Sequence, residues 1–243
     1  MRILETVWEK RNLGVNSVEF IFDGTESVKD ITPDVYDNKL YDYQTCRIPV
    51  NHMEITYFLQ EHGFRFAEAA FELAADLRED EQLSQVYRAF MSSFDYHRAD
   101  PYEIDNIKSA MLDGIFLTDR IALDPKFSVR QSSIRYVNWF NDEIQAGTST
   151  SYIVNMAGTP IGFFLLKNVS EAASDSLLGG LFNEDKYKGF GLPCAYFPVL
   201  QARNEGKKRI TTRVSANNLN SVKVHLEVGY KIQKISYMLV KHI

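Results

Sequence analysis

Slid against itself, this sequence matches once, and that match constrains the fold more than any single motif. At an offset of 166 residues, Thr45-Cys46-Arg47-Ile48-Pro49-Val50-Asn51 lies over Thr211-Thr212-Arg213-Val214-Ser215-Ala216-Asn217. Without a gap, Glu61-His62-Gly63-Phe64 then lies over Glu227-Val228-Gly229-Tyr230, and Leu73 over Leu239. The identities are few but fall at punctuating positions: Arg at a strand end, Asn at a helix start, Gly before an aromatic. The pattern predicts one strand–helix–strand frame used twice. It also decides a local conflict. Propensity alone makes the Ala- and Glu-rich segment Ala67–Leu77 a helix. The match makes Phe64–Leu73 a strand entered from Gly63, with any helix beginning only later.

The two copies differ in what precedes them. Leu177–Phe182 is a short apolar run with a Gly179-Gly180 pair, which suits a buried strand. Lys186-Tyr187-Lys188-Gly189-Phe190-Gly191 follows, and residues 192–204 carry Leu192, Ala195, Tyr196 and Val199 as a helical stripe. Glycines let the backbone turn tightly and bring N–H groups close to a ligand. A helix N-terminus behind such a loop holds an anion through free amides and the helix dipole, here with two lysines beside it. An ordinary tight turn has the same look. Residues 22–44, ahead of the first copy, hold Asp, Tyr and scattered polar residues but no such loop. One pyrophosphate site per chain is expected, in the C-terminal part.

Arg209–Val214 reads as a strand, Asn218 stands at a helix start, and Ser221–Val228 is a short helix running into Gly229-Tyr230. Lys231–Val240 alternates as one or two closing strands. Upstream, His97–Ile104 reads as strand end, Asp-Pro turn and the start of a helix over 102–113. Ser128–Ile144 sets Ile134, Val137, Phe140 and Ile144 on one helical face. Tyr152–Asn155 and Ile161–Leu166 make a hairpin. The polar stretch Leu77–Gln85 reads as helix surface or linker, dividing the chain near residue 88 into domains 1–88 and 89–243.

This order of strand, glycine loop, helix, strand, Asn, helix, Gly-aromatic and strand resembles the coenzyme A half of the GNAT N-acetyltransferase superfamily. The resemblance is good over residues 150–243 and loose over 97–150. It implies an α/β (α+β) fold: a mixed, mostly antiparallel sheet flanked by helices, preceded by a partial GNAT-like N-terminal domain. It implies acetyl-CoA as cosubstrate, and no metal. The backbone of Lys188, Gly189, Phe190, Gly191 and Leu192 would hold the pyrophosphate, with Lys186 at the usual Arg or Gln position. The strand ending at Leu181 and Phe182 would donate an amide to the thioester oxygen, and Asn218 would approach the coenzyme. Phe116–Phe127, with Arg135, Tyr136 and Trp139, resembles the substrate side of bacterial nucleotide-sugar N-acetyltransferases of the dTDP-fucosamine type. Arg120 and Arg135 would then suit a diphosphate, surface salt bridges being the other reading of each.

Acetyl transfer to an amine requires a proton acceptor and a proton donor. Seven residues past its Asn the family often has a Tyr as the acid; here His225 stands there. It shares a side with Val222, so a core histidine bonded to backbone is the competing reading. Tyr196, Tyr187 or a water are the other acids open. Glu184, Asp175 and Asp185 are base candidates, each also readable as a solvated carboxylate. Pro198 should kink its helix. Cys194 reads as packing, and no residue stands out as a covalent nucleophile, so direct attack in a ternary complex is implied. A peptide or protein amine acetyltransferase and a non-catalytic acyl-CoA-binding module stay open as alternatives.

A net charge of −5 argues against a nucleic-acid partner. Two distant cysteines, Cys46 and Cys194, imply neither a disulfide framework nor a zinc site. No signal-like apolar run and no stretch long enough to cross a bilayer is visible. A cytoplasmic monomer or homodimer with a small-molecule amine acceptor, and no membrane partner, is expected.

Overall fold

The computed structural model describes residues 1–78, 83–183 and 185–243. In chain order its elements are β1 (Arg2–Glu5), α1 (Trp8–Leu13), β2 (Ser17–Ile21), α2 (Pro33–Tyr36), β3 (Tyr43–Pro49), α3 (Met53–Glu61) and β4 (Arg65–Asp76). Then come α4 (Gln85–Met91), β5 (Phe94–Arg98), α5 (Pro101–Leu112), α6 (Val129–Gln145), β6 (Ser149–Met156), β7 (Thr159–Ser170) and β8 (Ala173–Leu181). The chain ends with α7 (Leu192–Asn204), β9 (Arg209–Ser215), α8 (Leu219–Glu227) and β10 (Lys231–His242).

The internal match is a structural repeat. β3, α3 and β4 recur as β9, α8 and β10 with every boundary displaced by the same 166 residues. One 10-stranded sheet holds both copies, in the order β1-β2-β3-β10-β4-β9-β8-β7-β6-β5. The copies trade strands: β10 lies antiparallel between β3 and β4, and β4 between β10 and β9. Segment 65–76 is a strand despite its helical propensity because ladders on both edges take its backbone groups. The polar stretch before α4 includes residues 79–82, outside the described residues, and the expected division near residue 88 falls within α4.

Local chemistry sets the remaining elements. Asp100 with Glu103 and Ser128 with Gln131 form capping boxes that open α5 and α6. Pro198 removes one N–H from α7, yet the helix runs unbroken over Leu192–Asn204. α3, α7 and α8 cover one sheet face, over cores containing Ile55, Leu59 and Leu239 in one half and Phe164, Leu192, Ala195 and Val222 in the other. α1, α5 and α6 cover the opposite face, where Ile107, Phe140 and Phe163 are buried. No described helix is long and apolar enough to cross a membrane.

Candidate active site

β8 and β9 are parallel neighbours for only three positions, Ala173 with Arg209 to Asp175 with Thr211, and then diverge. A bulge marks the divergence. Ser176 and Leu178 oppose consecutive residues of β7, leaving Leu177 as the extra residue, so Leu177 and Leu178 face the same core. At the fork the Thr212 hydroxyl donates to the Ser176 carbonyl at 2.8 Å. The first copy has no fork: β2 and β3 stay paired from Ser17–Tyr43 to Ile21–Arg47, and the Phe22 amide continues the ladder to the Arg47 carbonyl at 2.9 Å. An accessible backbone edge is therefore built into one copy only. Phe182 spends its amide on the Ile161 carbonyl at 2.9 Å, so it cannot serve a ligand. By the alternation of strand donors Leu181 turns its own N–H toward the gap.

The glycine loop lies at the mouth of the fork. Asn183 starts it, accepting the Lys186 amide on Oδ1 at 2.9 Å and the Tyr187 amide on its carbonyl at 3.0 Å. Gly189 has φ +92°, a left-handed turn that favours glycine. The N–H groups of Gly189, Gly191 and Leu192 have no partner among the described residues. Lys186 and Lys188 are exposed, with Lys186 Nζ 4.9 Å from the Tyr187 ring centroid. Phe190 stacks on Phe90 of α4 at 6.0 Å. A cavity of about 480 Å³ opens beside the loop, lined by Tyr87, Phe90, Gly189, Leu192, Lys223 and Val224, with Glu227. Asn218 caps α8, accepting the Ser221 amide on Oδ1 at 3.0 Å.

Gly162 fixes how closely β7, β8 and α7 meet. A Cβ there would stand 2.5 Å from the Gly180 carbonyl oxygen and 2.9 Å from Cys194 Sγ. Cys194 is thus a packing residue, its thiol pushed up to about 12 by burial.

His225 Nδ1 lies 2.7 Å from the Ser221 carbonyl, to which it donates, leaving Nε2 as an acceptor. Burial pulls its pKa below the ordinary value, against that same bond. A neutral ring held this way accepts a proton before it gives one. The Tyr230 ring meets it edge-on at 5.1 Å, and the buried Tyr230 hydroxyl has no hydrogen-bond partner among the described residues. The first copy carries Leu59 and Phe64 at these two positions, both buried and apolar. Tyr230 was hidden in the sequence because its Gly-aromatic context reads as structural. Comparing it with Phe64 would have exposed the added hydroxyl. Of the base candidates, Glu184 lies outside the described residues and Asp185 is exposed. Asp175 stands at the last paired position of the fork, accepting from Thr211 at 3.0 Å, with its carboxyl pushed up by burial.

On the opposite face, the α5–α6 connection (residues 113–128) reaches across to the end of β9, where the Ser215 hydroxyl donates to the Thr118 carbonyl at 2.8 Å. Phe116 packs on Tyr136 at 4.7 Å and, across bare Gly180, approaches β8. Neither expected arginine is a surface ion pair. Arg135 Nε donates to buried Glu9 at 2.7 Å. The Arg120 guanidinium lies deep within reach of the charges of Glu19, Glu68 and Glu9 without an ion pair among the described residues. Both lie on the face away from the glycine loop. No described group of three or more His, Cys, Asp or Glu side chains could hold a metal.

No protein-family model matches the sequence, and no curated protein matches it. Solved structures match the fold. A conserved protein of unknown function from Staphylococcus epidermidis superposes with TM-score 0.63 at 13% identity, over 93% of this chain and 84% of that one. A GCN5-related N-acetyltransferase from Sphaerobacter thermophilus gives 0.55 at 12%, over 82% and 59%. A tandem GNAT protein from the clavulanic acid biosynthesis pathway gives 0.54 at 13%, over 82% and 64%. The chain thus spans less than two thirds of the latter two. Its fold is of the GNAT type: a mixed, mostly antiparallel sheet flanked by helices.

Proposed function

We propose that this protein is an acetyl-CoA-dependent N-acetyltransferase acting on a small-molecule amine, with a nucleotide-linked amino sugar as one acceptor class. The observation that carries the reading is the forked β8–β9 pair, with a bulge at the fork and a glycine loop with free amides at its mouth. These residues fit the coenzyme. Unpartnered amides at Gly189, Gly191 and Leu192, with Lys186 and Lys188 beside them, suit a pyrophosphate at the start of α7. The Leu181 amide suits a carbonyl lying in the gap, and we assign Asn218, through Nδ2, to the coenzyme as well. Acetyl-CoA supplies an activated acyl group, so the chain need only orient the amine and manage two protons. His225 and Tyr230 form the polar pair on the coenzyme side, His225 relaying a proton through Nε2. The part after residue 88 carries the coenzyme site, and the part before it supports the sheet and the acceptor. A cytoplasmic monomer or homodimer is part of the same reading.

The test is thiol release from acetyl-CoA across amino sugars, nucleotide-linked amino sugars, polyamines and peptides, beside calorimetric titration of the coenzyme. Release with one small-amine class is expected. Tight coenzyme binding with no release on any amine would leave an acyl-CoA-binding module instead.

A further inference from the structure

Beneath the α5–α6 connection, the charges of the second face do not pair off completely. Glu9 is taken by Arg135 at 2.7 Å and Glu19 by Arg47 at 2.5 Å. Glu68 and Arg120 are left over. Glu68, on β4 just past the end of β9, is 6% exposed, and its Oε2 has no hydrogen-bond partner among the described residues. Arg120 leaves part of its surface open, yet its Nε is buried and has no partner among the described residues. The two belong to one cluster. The Ser215 hydroxyl, on the strand beside Glu68, donates to the Thr118 carbonyl two residues before Arg120, and each of the two charges favours the charged form of the other. Two more buried atoms lack partners among the described residues: the hydroxyl of Tyr43, which feels the Arg120 charge, and Oγ of Ser236, opposite Ala70 on the neighbouring strand. Isolated buried charges are costly, and a buried acid and base in one cluster ordinarily form an ion pair. A buried acid and a base with no ion pair among the described residues, beside unsatisfied donors and acceptors, outline a guest carrying the complementary charges. Position agrees, because Ser215, whose hydroxyl adjoins Glu68, ends the strand that borders the fork.

We propose that Glu68 and Arg120 are the acceptor-recognising pair, and that the acceptor is a primary amine bearing an acidic group, carboxylate or phosphate, on the same small molecule. This rests on the transferase reading above. Arg120 holds the acidic group as a charge-assisted fork. Glu68 takes one proton from the acceptor's ammonium, giving a neutral amine. The nitrogen lone pair forms the N–C bond as the C–S bond breaks. The sulfur leaves with that electron pair and receives the second amine proton, and Glu68 returns its own to solvent. The products are an amide, a free thiol and one released proton.

Calorimetric titration of the full chain without coenzyme tests the recognition apart from turnover. The probes are matched pairs: an α-amino acid against its decarboxylated amine, an amino-sugar phosphate against the free amino sugar, and the amino acid against its hydroxy analogue. Wild type should bind at least one acidic member about tenfold more tightly than its partner, the two arms separating carboxylate from phosphate. Arg120→Gln should erase that preference. Glu68→Gln, isosteric and safe for folding, should keep it but lose the preference for amine over hydroxyl. Equal binding within every pair, or a Glu68→Gln protein that still prefers the amine, would overturn the proposal whether or not Arg120→Gln folds. Acetyl-CoA titrated into the same samples separates the two readings: acid preference intact with no coenzyme binding would sink the transferase reading alone.

Discussion

Ser236 pairs in the central ladder with Ala70, its own counterpart 166 residues earlier. The pairing therefore has a local two-fold axis there. The β3–β10 register, Ser236 with Pro49 to His242 with Tyr43, repeats as β4–β9, Ala70 with Ser215 to Asp76 with Arg209. Even the irregularities correspond, since β10 skips Gln233 and β4 skips Ala67. Against so regular a frame, the differences between the copies point to function: the fork, the glycine loop, and the His225–Tyr230 pair.

Near this axis Glu72 stands 3.2 Å from Arg213 and 3.8 Å from Arg47, and Arg47 also holds buried Glu19. Burial pushes the Glu19 carboxyl up, but Arg120 and Arg47 outweigh it and hold the pKa below its ordinary value. Its contribution is then present above the unfolded pKa of about 4.5 and lost as pH falls through the folded one. Arg47→Met should cost about 3–5 kcal/mol at pH 7 by stranding Glu19, and adding Glu19→Gln should recover most of it. Urea titrations of the single and double variants check this. Additive losses would mean the pair is not coupled.

His225 gives the opposite acid-limb signature to a histidine whose pKa an acidic partner raises. Its folded pKa is depressed by burial, so the unfolded chain binds the extra proton first and stability drops as pH falls below about 6.5. His225→Leu, the residue of the first copy, should flatten that limb in denaturation curves at pH 5 and 7.5. A variant as acid-sensitive as wild type would place the titration elsewhere.

The same comparison predicts activity. Tyr230→Phe and His225→Leu install what Phe64 and Leu59 already are, so both should fold, with melting temperatures within a few degrees of wild type. Turnover should fall by about 10²-fold or more while coenzyme affinity holds, as expected for lost proton handling. Steady-state kinetics beside coenzyme titration would decide it, and unchanged turnover in both variants would hand the proton to another group.

The frame was legible in the sequence because punctuation survives divergence: Arg47 and Arg213, Gly63 and Gly229. The glycine loop was legible for the same reason. The fork and its bulge at Leu177 were not, since they arise from how two distant strands separate and leave no local residue signature. Arg120 was visible as a candidate, but its partner Glu68 sits in an Ala-rich strand that reads as structure. Only the sheet places that strand beside the α5–α6 connection.

Stoichiometry tests the asymmetry most directly. A bound coenzyme needs a strand edge left open and amides left free, and the first copy offers neither route. β2 and β3 remain bonded through Phe22, while the only glycine between residues 22 and 44, Gly24, spends its amide on the Glu26 carboxylate at 3.1 Å. Calorimetry should therefore give one acetyl-CoA per chain. Replacing Gly189 by Val, which φ +92° disfavours by about 1–2 kcal/mol, should abolish that one site and reveal no second. Lys186→Glu with Lys188→Glu should weaken it and reduce its salt dependence. Two equivalents bound by wild type would mean the closed β2–β3 pair opens, and the asymmetry argued from the fork would fail.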